Sequence, residues 1–350
     1  MSTIRDNTFD ILKGIAILAV IIGHCEIPRF WGTIISSFHM PLFFFVSGYF
    51  LKTRPLAEEI RLSAKRLLVP YGFTALFICA FAFLEDLRHI SYADGSYTQG
   101  VVFAYLLGLR YDTGIFSNGS PSQVGVLWFV LALFWARLAV VSLLNYTKSI
   151  SLQIALVTTV AFAGIFLYKI IPSPFCILQS LPAIAYVYAG TLLRRFEFFN
   201  GSALRHWFPF LSLIWLYCLA YSFTGMAGVS FGSGFILDFF GALGATAVLF
   251  VLVKFVSTKA EDNTAESKAS GFWRFVNFCG RYSLVLYCVH SVEYSTSNWK
   301  AFALLNHIPL AHYTLFQTSI CITIAVGFTL VLLRIKPIRE NIFQIHDSKK

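Results

Sequence analysis

Apolar residues fall along this chain in blocks of about 20, the length a helix needs to cross the hydrocarbon core of a bilayer. Ten stretches qualify, at 9–27, 32–51, 67–86, 123–144, 151–171, 174–193, 208–224, 233–256, 280–298 and 313–333. Short polar turns separate them, and the pattern predicts an all-α, polytopic transmembrane helical bundle of about ten spans. Pro41, Pro182, Gly190, Gly241 and Gly244 fall inside spans, where neighbouring helices can satisfy the backbone groups they free. The run QGVVFAYLLGL at 99–109 is too short to cross and is expected to lie in the interface or to re-enter. The first apolar stretch carries Asp10 and Lys13 and lacks a small-residue cleavage site, so a retained first helix is expected rather than a signal peptide.

Composition agrees with that pattern. Of the 350 residues, 57% are hydrophobic and only 13% charged, against about 25% charged in a soluble domain. The whole chain, 1–350, reads as one membrane domain, with a polar linker expected at 257–271 and a long external segment at 87–122.

The formal net charge of +10 changes the picture once its distribution is followed. With the N-terminus placed in the cytoplasm, one side of the ten spans holds Arg5, Lys52, Arg54, Arg61, Lys65, Arg66, Lys148, Arg194, Arg195 and Arg205. It also holds Lys254, Lys259, Lys268, Arg274, Arg281, Arg334, Lys336, Arg339, Lys349 and Lys350, a total of 20. The other side holds five: Arg29, Arg88, Arg110, Lys169 and Lys300. Basic residues gather on the cytoplasmic side of membrane proteins, so both termini are expected there. The same distribution leaves no basic stripe interleaved with exposed aromatics, and nucleic acid is not an expected partner. The seven cysteines are scattered through apolar runs, with no C-x-x-C pair or Cys/His cluster of zinc spacing. No metal is expected.

Ionisable residues inside spans are costly and mark candidate chemistry. The first span holds Asp10, Lys13 and His24. At 100° per residue they share one helical stripe, with His24 about 16 Å along the axis from Lys13. Asp10 and Lys13 are one turn apart and placed to pair. The second span carries His39, which can reach the depth of His24 if the hairpin turns near Pro28; a lone histidine there also serves simply as a hydrogen-bonded packing residue. Arg61, Lys65 and Arg66 precede Pro70. Ordinary cytoplasmic anchoring accounts for their sign, while Arg and Lys are also the usual partners of phosphate. Trp128 stands near the external entrance of the fourth span, where aromatic anchoring is equally expected. In the ninth, Tyr287 and His290 lie inside the bilayer with Glu293 three residues on, a spacing that allows a His–Glu pair. Asp238 stands alone in the eighth.

These segments together resemble the acyltransferase-3 family of membrane-bound O-acyltransferases. The family's opening D-x-L-R-G-I-A run and its histidine read here as FDILKGIAILAVIIGH, residues 9–24, with Lys13 in place of the usual arginine. An F-F-x-x-S-G-F-like run follows at Phe44 to Phe50, then KRLLVP, then LWFV, then GRYSLVLYCVH, in the family's order. The first two elements look most like the sugar O-acetylase branch, such as fucose acetylases.

The resemblance implies a bacterial inner-membrane enzyme that moves an acetyl group from acetyl-CoA to a sugar hydroxyl of a polysaccharide, glycan or glycolipid. It implies Asp10, Lys13 and His24 as the catalytic set, with His24 as base; His39 joins that set from its depth alone, in a supporting or packing role. Arg61, Lys65 and Arg66 would hold the CoA phosphates, and Trp128, Tyr287, His290 and Glu293 would face the acceptor. The rival class is a small transporter with the same buried charges lining a path. Transporters of that kind are often built from repeated halves, and no such repeat is visible.

Overall fold

The computed structural model describes residues 7–88, 96–109, 123–199, 202–221, 224–262 and 268–346. Of the expected external segment at 87–122, residues 89–95 and 110–122 lie outside them. Of the polar stretch 257–271, residues up to Asp262 continue one helix and those from Lys268 begin another, while 263–267 are outside the described residues.

The chain is a bundle of α-helices, and eight helical runs among the described residues are long and apolar enough to cross a membrane. α2 (Arg29–Tyr49) is the first. The second run joins α3 (Leu56–Ser63) to α4 (Val69–Arg88) through a π-turn at Ala64–Leu68. α5 (Ser96–Leu107) is a 12-residue apolar helix, too short to cross as expected, and Tyr71 on α4 donates to its Tyr105 carbonyl at 2.5 Å. α6 (Trp128–Tyr146), α7 (Ile150–Leu167) and α8 (Ile177–Arg195) follow, then α9 (Ser202–Tyr221) and α10 (Phe235–Asp262). α14 (Leu310–Arg334) closes the bundle. α6 and α8 are the most buried of these, while α9, α14 and α7 turn most of their apolar surface outward, as lipid-facing helices do.

The remaining two expected spans are shorter than the sequence pattern implies. α1 (Thr8–Gly23) has 16 residues and α12 (Ser283–Thr296) has 14, so they extend about 24 and 21 Å against a core of about 30 Å. α1 stops where Gly23 and, soon after, Pro28 interrupt it. α12 starts after a break at Tyr282, which separates it from the amphipathic α11 (Lys268–Arg281). Both short helices bury half or more of their residues within the bundle. α13 (Trp299–Leu305) links α12 to α14.

The π-turn has a local cause. Pro70 lacks the N–H that would close the helical bond to residue 66, and its ring crowds that carbonyl, so the ladder slips to a wider turn. Lys65 and Arg66 sit in that turn.

Helices approach backbone to backbone at glycines. A Cβ on Gly48 of α2 would run into the Val187 carbonyl of α8, and one on Gly190 of α8 into the Phe45 carbonyl of α2. The same holds between α1 and α11, where Gly14 faces the Val276 carbonyl and Gly280 the Asp10 carbonyl. Small residues permit this close packing in membranes.

Hydrogen bonds tie the loops together at each end. At one, Asn145 donates to the Arg54 carbonyl at 2.9 Å and Arg194 to that of Tyr49 at 3.5 Å. At the other, Lys300 pairs with Glu26 at 3.3 Å, and Gln317 and Thr314 bond the Glu26 backbone. The first end is the basic one. Reporter fusions at Asn145 and Lys268 are therefore expected to report cytoplasm, and one at Gly228 the exterior. Any of the three on the opposite side overturns this orientation.

Candidate functional site

Three cavities succeed one another through the bundle. The inner cavity, which adjoins both of the others, opens beside the loop between α2 and α3 and has a volume of about 710 Å³. Its lower wall carries Lys13, Lys52, Arg54, Arg66 and Arg137, with Glu58 as the one carboxylate in the lining. Its upper wall is apolar, built from Phe43, Phe129, Leu133 and Leu284, and ends at Tyr287. The charged side chains thus gather at one end of the cavity, where Phe50 and Leu67 also line it.

A second cavity, about 440 Å³, lies toward the opposite end. His24, His39, Ser36, Trp128 and Tyr287 line it, with the backbone of residues 224–228 on one side. That backbone belongs to a small hairpin, β1 (Thr224–Gly225) paired antiparallel with β2 (Ser230–Phe231). Its GMAGVSFGSG sequence is turn-rich; the expected seventh span ran to 224 and carried no sign of a site there. Tyr287 lines both cavities, and its hydroxyl donates to the Val126 carbonyl.

A third cavity, about 460 Å³, holds Arg61, Lys65, Arg66, Gln344 and His346, so Arg66 joins it to the first.

The candidate residues are spread along this series, and His290 and Glu293 line none of its cavities. Lys13 and Asp10 pair at 2.8 Å, with Lys13 in the inner cavity and Asp10 buried behind it. His24, at the C-terminal cap of α1, faces the outer cavity. The stripe on α1 therefore spans both, rather than forming one cluster. His39 holds the Ile35 carbonyl through Nδ1 at 2.6 Å, which leaves Nε2 as the acceptor nitrogen.

The His24 ring lies 5.5 Å from that of His290 and 4.8 Å from that of Tyr294, centroid to centroid. His290 Nδ1 meets Glu293 Oε2 at 2.9 Å, the pairing the i, i+3 spacing allowed. Trp299 Nε1 donates to the other oxygen, Oε1, and Cys321 Sγ approaches it at 3.3 Å. With Nδ1 committed to the carboxylate, the Nε2 of His290 is buried and has no hydrogen-bond partner among the described residues. Asp238 lines neither the inner nor the outer cavity; it is buried near Tyr186 and Cys218.

One group escaped the sequence reading. Glu59 on α3 is fully buried. Its Oε1 accepts from Arg137 Nη2 at 2.8 Å, from Arg137 Nε at 3.0 Å and from Ser63 at 2.5 Å. Arg54 Nε lies 3.2 Å from Oε2, and Arg137 Nη1 donates to Ser47 at 2.9 Å. The available signal was an arginine in mid-span, since such a charge needs a buried partner.

Among the described residues, no group of three or more His, Cys, Asp or Glu side chains is placed to hold a metal ion. The sequence matches the acyltransferase-3 family, described as an acyltransferase domain, over residues 6–333. No curated protein and no solved structure matches it.

Proposed function

The chain belongs to the acyltransferase-3 family of membrane acyltransferases, and on that premise we propose that it is an O-acetyltransferase of the bacterial inner membrane. In this reading it moves an acetyl group from acetyl-CoA to a hydroxyl of a sugar in a cell-surface polysaccharide or glycolipid, as the sugar O-acetylase branch would. The observation that carries it is the meeting of a cationic cavity and a histidine cavity at one residue, Tyr287.

Acyl transfer from a thioester to an alcohol needs a base at the hydroxyl and a donor held within reach. The third cavity and the lower wall of the first offer Arg61, Lys65 and Arg66 for the phosphates of CoA, since cations are what such groups bind. The apolar upper wall suits the uncharged thioester arm, which would end near Tyr287. On the other side His24 takes the proton of the acceptor hydroxyl. The oxygen attacks the thioester carbonyl carbon, the C–S bond breaks, and the thiolate of CoA leaves and is protonated. Trp128 and Tyr287 border the acceptor, while His290, its ring fixed by Glu293, lies beside His24 and behind the cavity lining. Asp10 and Lys13 complete the polar stripe below, and His39 supports the outer cavity.

A transporter could also use a series of cavities, so the decisive assay is chemical. The purified protein should release CoA from acetyl-CoA and acetylate carbohydrate acceptors from its own cell envelope. If it does neither, the reading fails. The double variant Lys65→Gln/Arg66→Gln should insert normally yet show a raised KM for acetyl-CoA. Each lost charge-assisted contact costs about 1.5–3 kcal/mol, which is about tenfold or more in affinity. An unchanged KM would mean that the pair serves only as a topological anchor.

A further inference from the structure

Arg137 occupies a costly position. It lies nine residues from the Tyr146 end of α6, about 14 Å into the helix, and its carboxylate partner Glu59 is fully buried. Buried ion pairs of this kind are poor stabilisers, because desolvation offsets much of the Coulombic gain and apolar replacements often do as well. Packing alone is therefore a weak reason for the pair.

The hydrogen bonds leave donors to spare. A guanidinium has five N–H groups in a planar fork. Here Nε is shared between Glu59 and Ser63, one N–H of Nη2 goes to Glu59, and one N–H of Nη1 goes to Ser47. One N–H on each terminal nitrogen remains, and Arg137 lines the inner cavity. The wall nevertheless stays net positive. Glu59 pairs with Arg137 and Arg54, and Glu58 with Arg54 at 3.5 Å, while Lys52 and Arg66 add further positive charge to the same wall. Above Arg137 the cavity turns apolar: Phe129 stands eight residues back toward the start of α6, about 12 Å up the axis.

We propose that Arg137, aimed by Glu59 and Ser47, is a binding residue for the diphosphate of the acyl donor. It would grip the donor's last charged group before the uncharged arm enters the apolar half of the cavity. A fixed planar fork suits bidentate contact with phosphate oxygens in a way that an ammonium does not. This inference rests on acyl-CoA being the donor.

The test compares two donors, acetyl-CoA and S-acetylpantetheine, which carries the same thioester arm but no phosphate. CoA release or pantetheine release by the purified protein gives KM for each. Arg137→Lys and Arg137→Gln should raise KM for acetyl-CoA about tenfold or more while changing KM for S-acetylpantetheine little. Because Arg137→Gln strands the Glu59 carboxylate, the double variant Glu59→Gln/Arg137→Gln serves as the folding-safe form and should show the same selective loss. Equal increases for both donors would overturn the proposal, since the role would then be structural. So would an unchanged KM for acetyl-CoA. If the unaltered protein used S-acetylpantetheine but gained nothing from the phosphates of acetyl-CoA, this inference would fall while thioester transfer stood. If it used neither donor, both would fall.

Discussion

Replacing His24 by alanine is expected to reduce acetyl transfer by about 10²–10⁴-fold, the usual contribution of a positioned general base. The protein should still fold, because His24 sits at the end of α1 and borders a cavity rather than filling the core. His39→Ala should cost less, since the ring of His39 is tethered to the Ile35 carbonyl and has a packing role to account for it. Mass spectrometry of cell-envelope glycans from cells carrying each variant separates the two. Near-normal acetylation without His24 would remove it as the base, though not the family membership. Equal losses would mean that the two histidines share the proton.

The second large effect falls on stability. Glu59→Ala leaves the partly buried Arg137 without its carboxylate. Breaking a buried pair costs about 3–5 kcal/mol, with the lower end expected because Arg137 borders a cavity. Equilibrium unfolding in mixed micelles, read by tryptophan fluorescence, would measure it. The double variant Glu59→Leu/Arg137→Met should recover much of the loss, because it removes both charges together. If Glu59→Ala proved as stable as the unaltered protein, the Glu59–Arg54–Arg137 network would not be holding α3 to α6.

How far the sequence reached follows from where each signal lay. Asp10, Lys13 and His24 were legible because charges within a long apolar run have few explanations, and helical spacing gave their shared face. The His290–Glu293 pair was legible for the same reason, but its other partners, Trp299 and Cys321, were not. They come from α13 and α14, and local spacing says nothing about which helices meet. Glu59 was invisible for a different reason: beside Glu58 in an amphipathic segment it reads as a solvated acid, and only its packing against α6 makes it a buried one. The hairpin at 224–231 left no apolar alternation to detect, since its strands are two residues each. Hydropathy also overestimated α1 and α12, because it counts apolar residues past the points where Gly23 and Tyr282 end regular helix.

The crossing of α1 with α11 bears on how the site could be re-engineered. Main chain meets main chain at Gly14 and Gly280, so the depth of α1 is set by two backbones and not by the side chains around the cavities. Sliding α1 by a residue would drive a side chain into a carbonyl, a clash that no rotamer change relieves. Asp10, Lys13 and His24 therefore keep their heights when neighbouring cavity walls are recut. Phe43, Phe129 and Leu133 could be enlarged or trimmed to admit longer or bulkier acyl groups without retuning the polar residues of that helix, much as a lathe's tool holder stays aligned while its bits are exchanged.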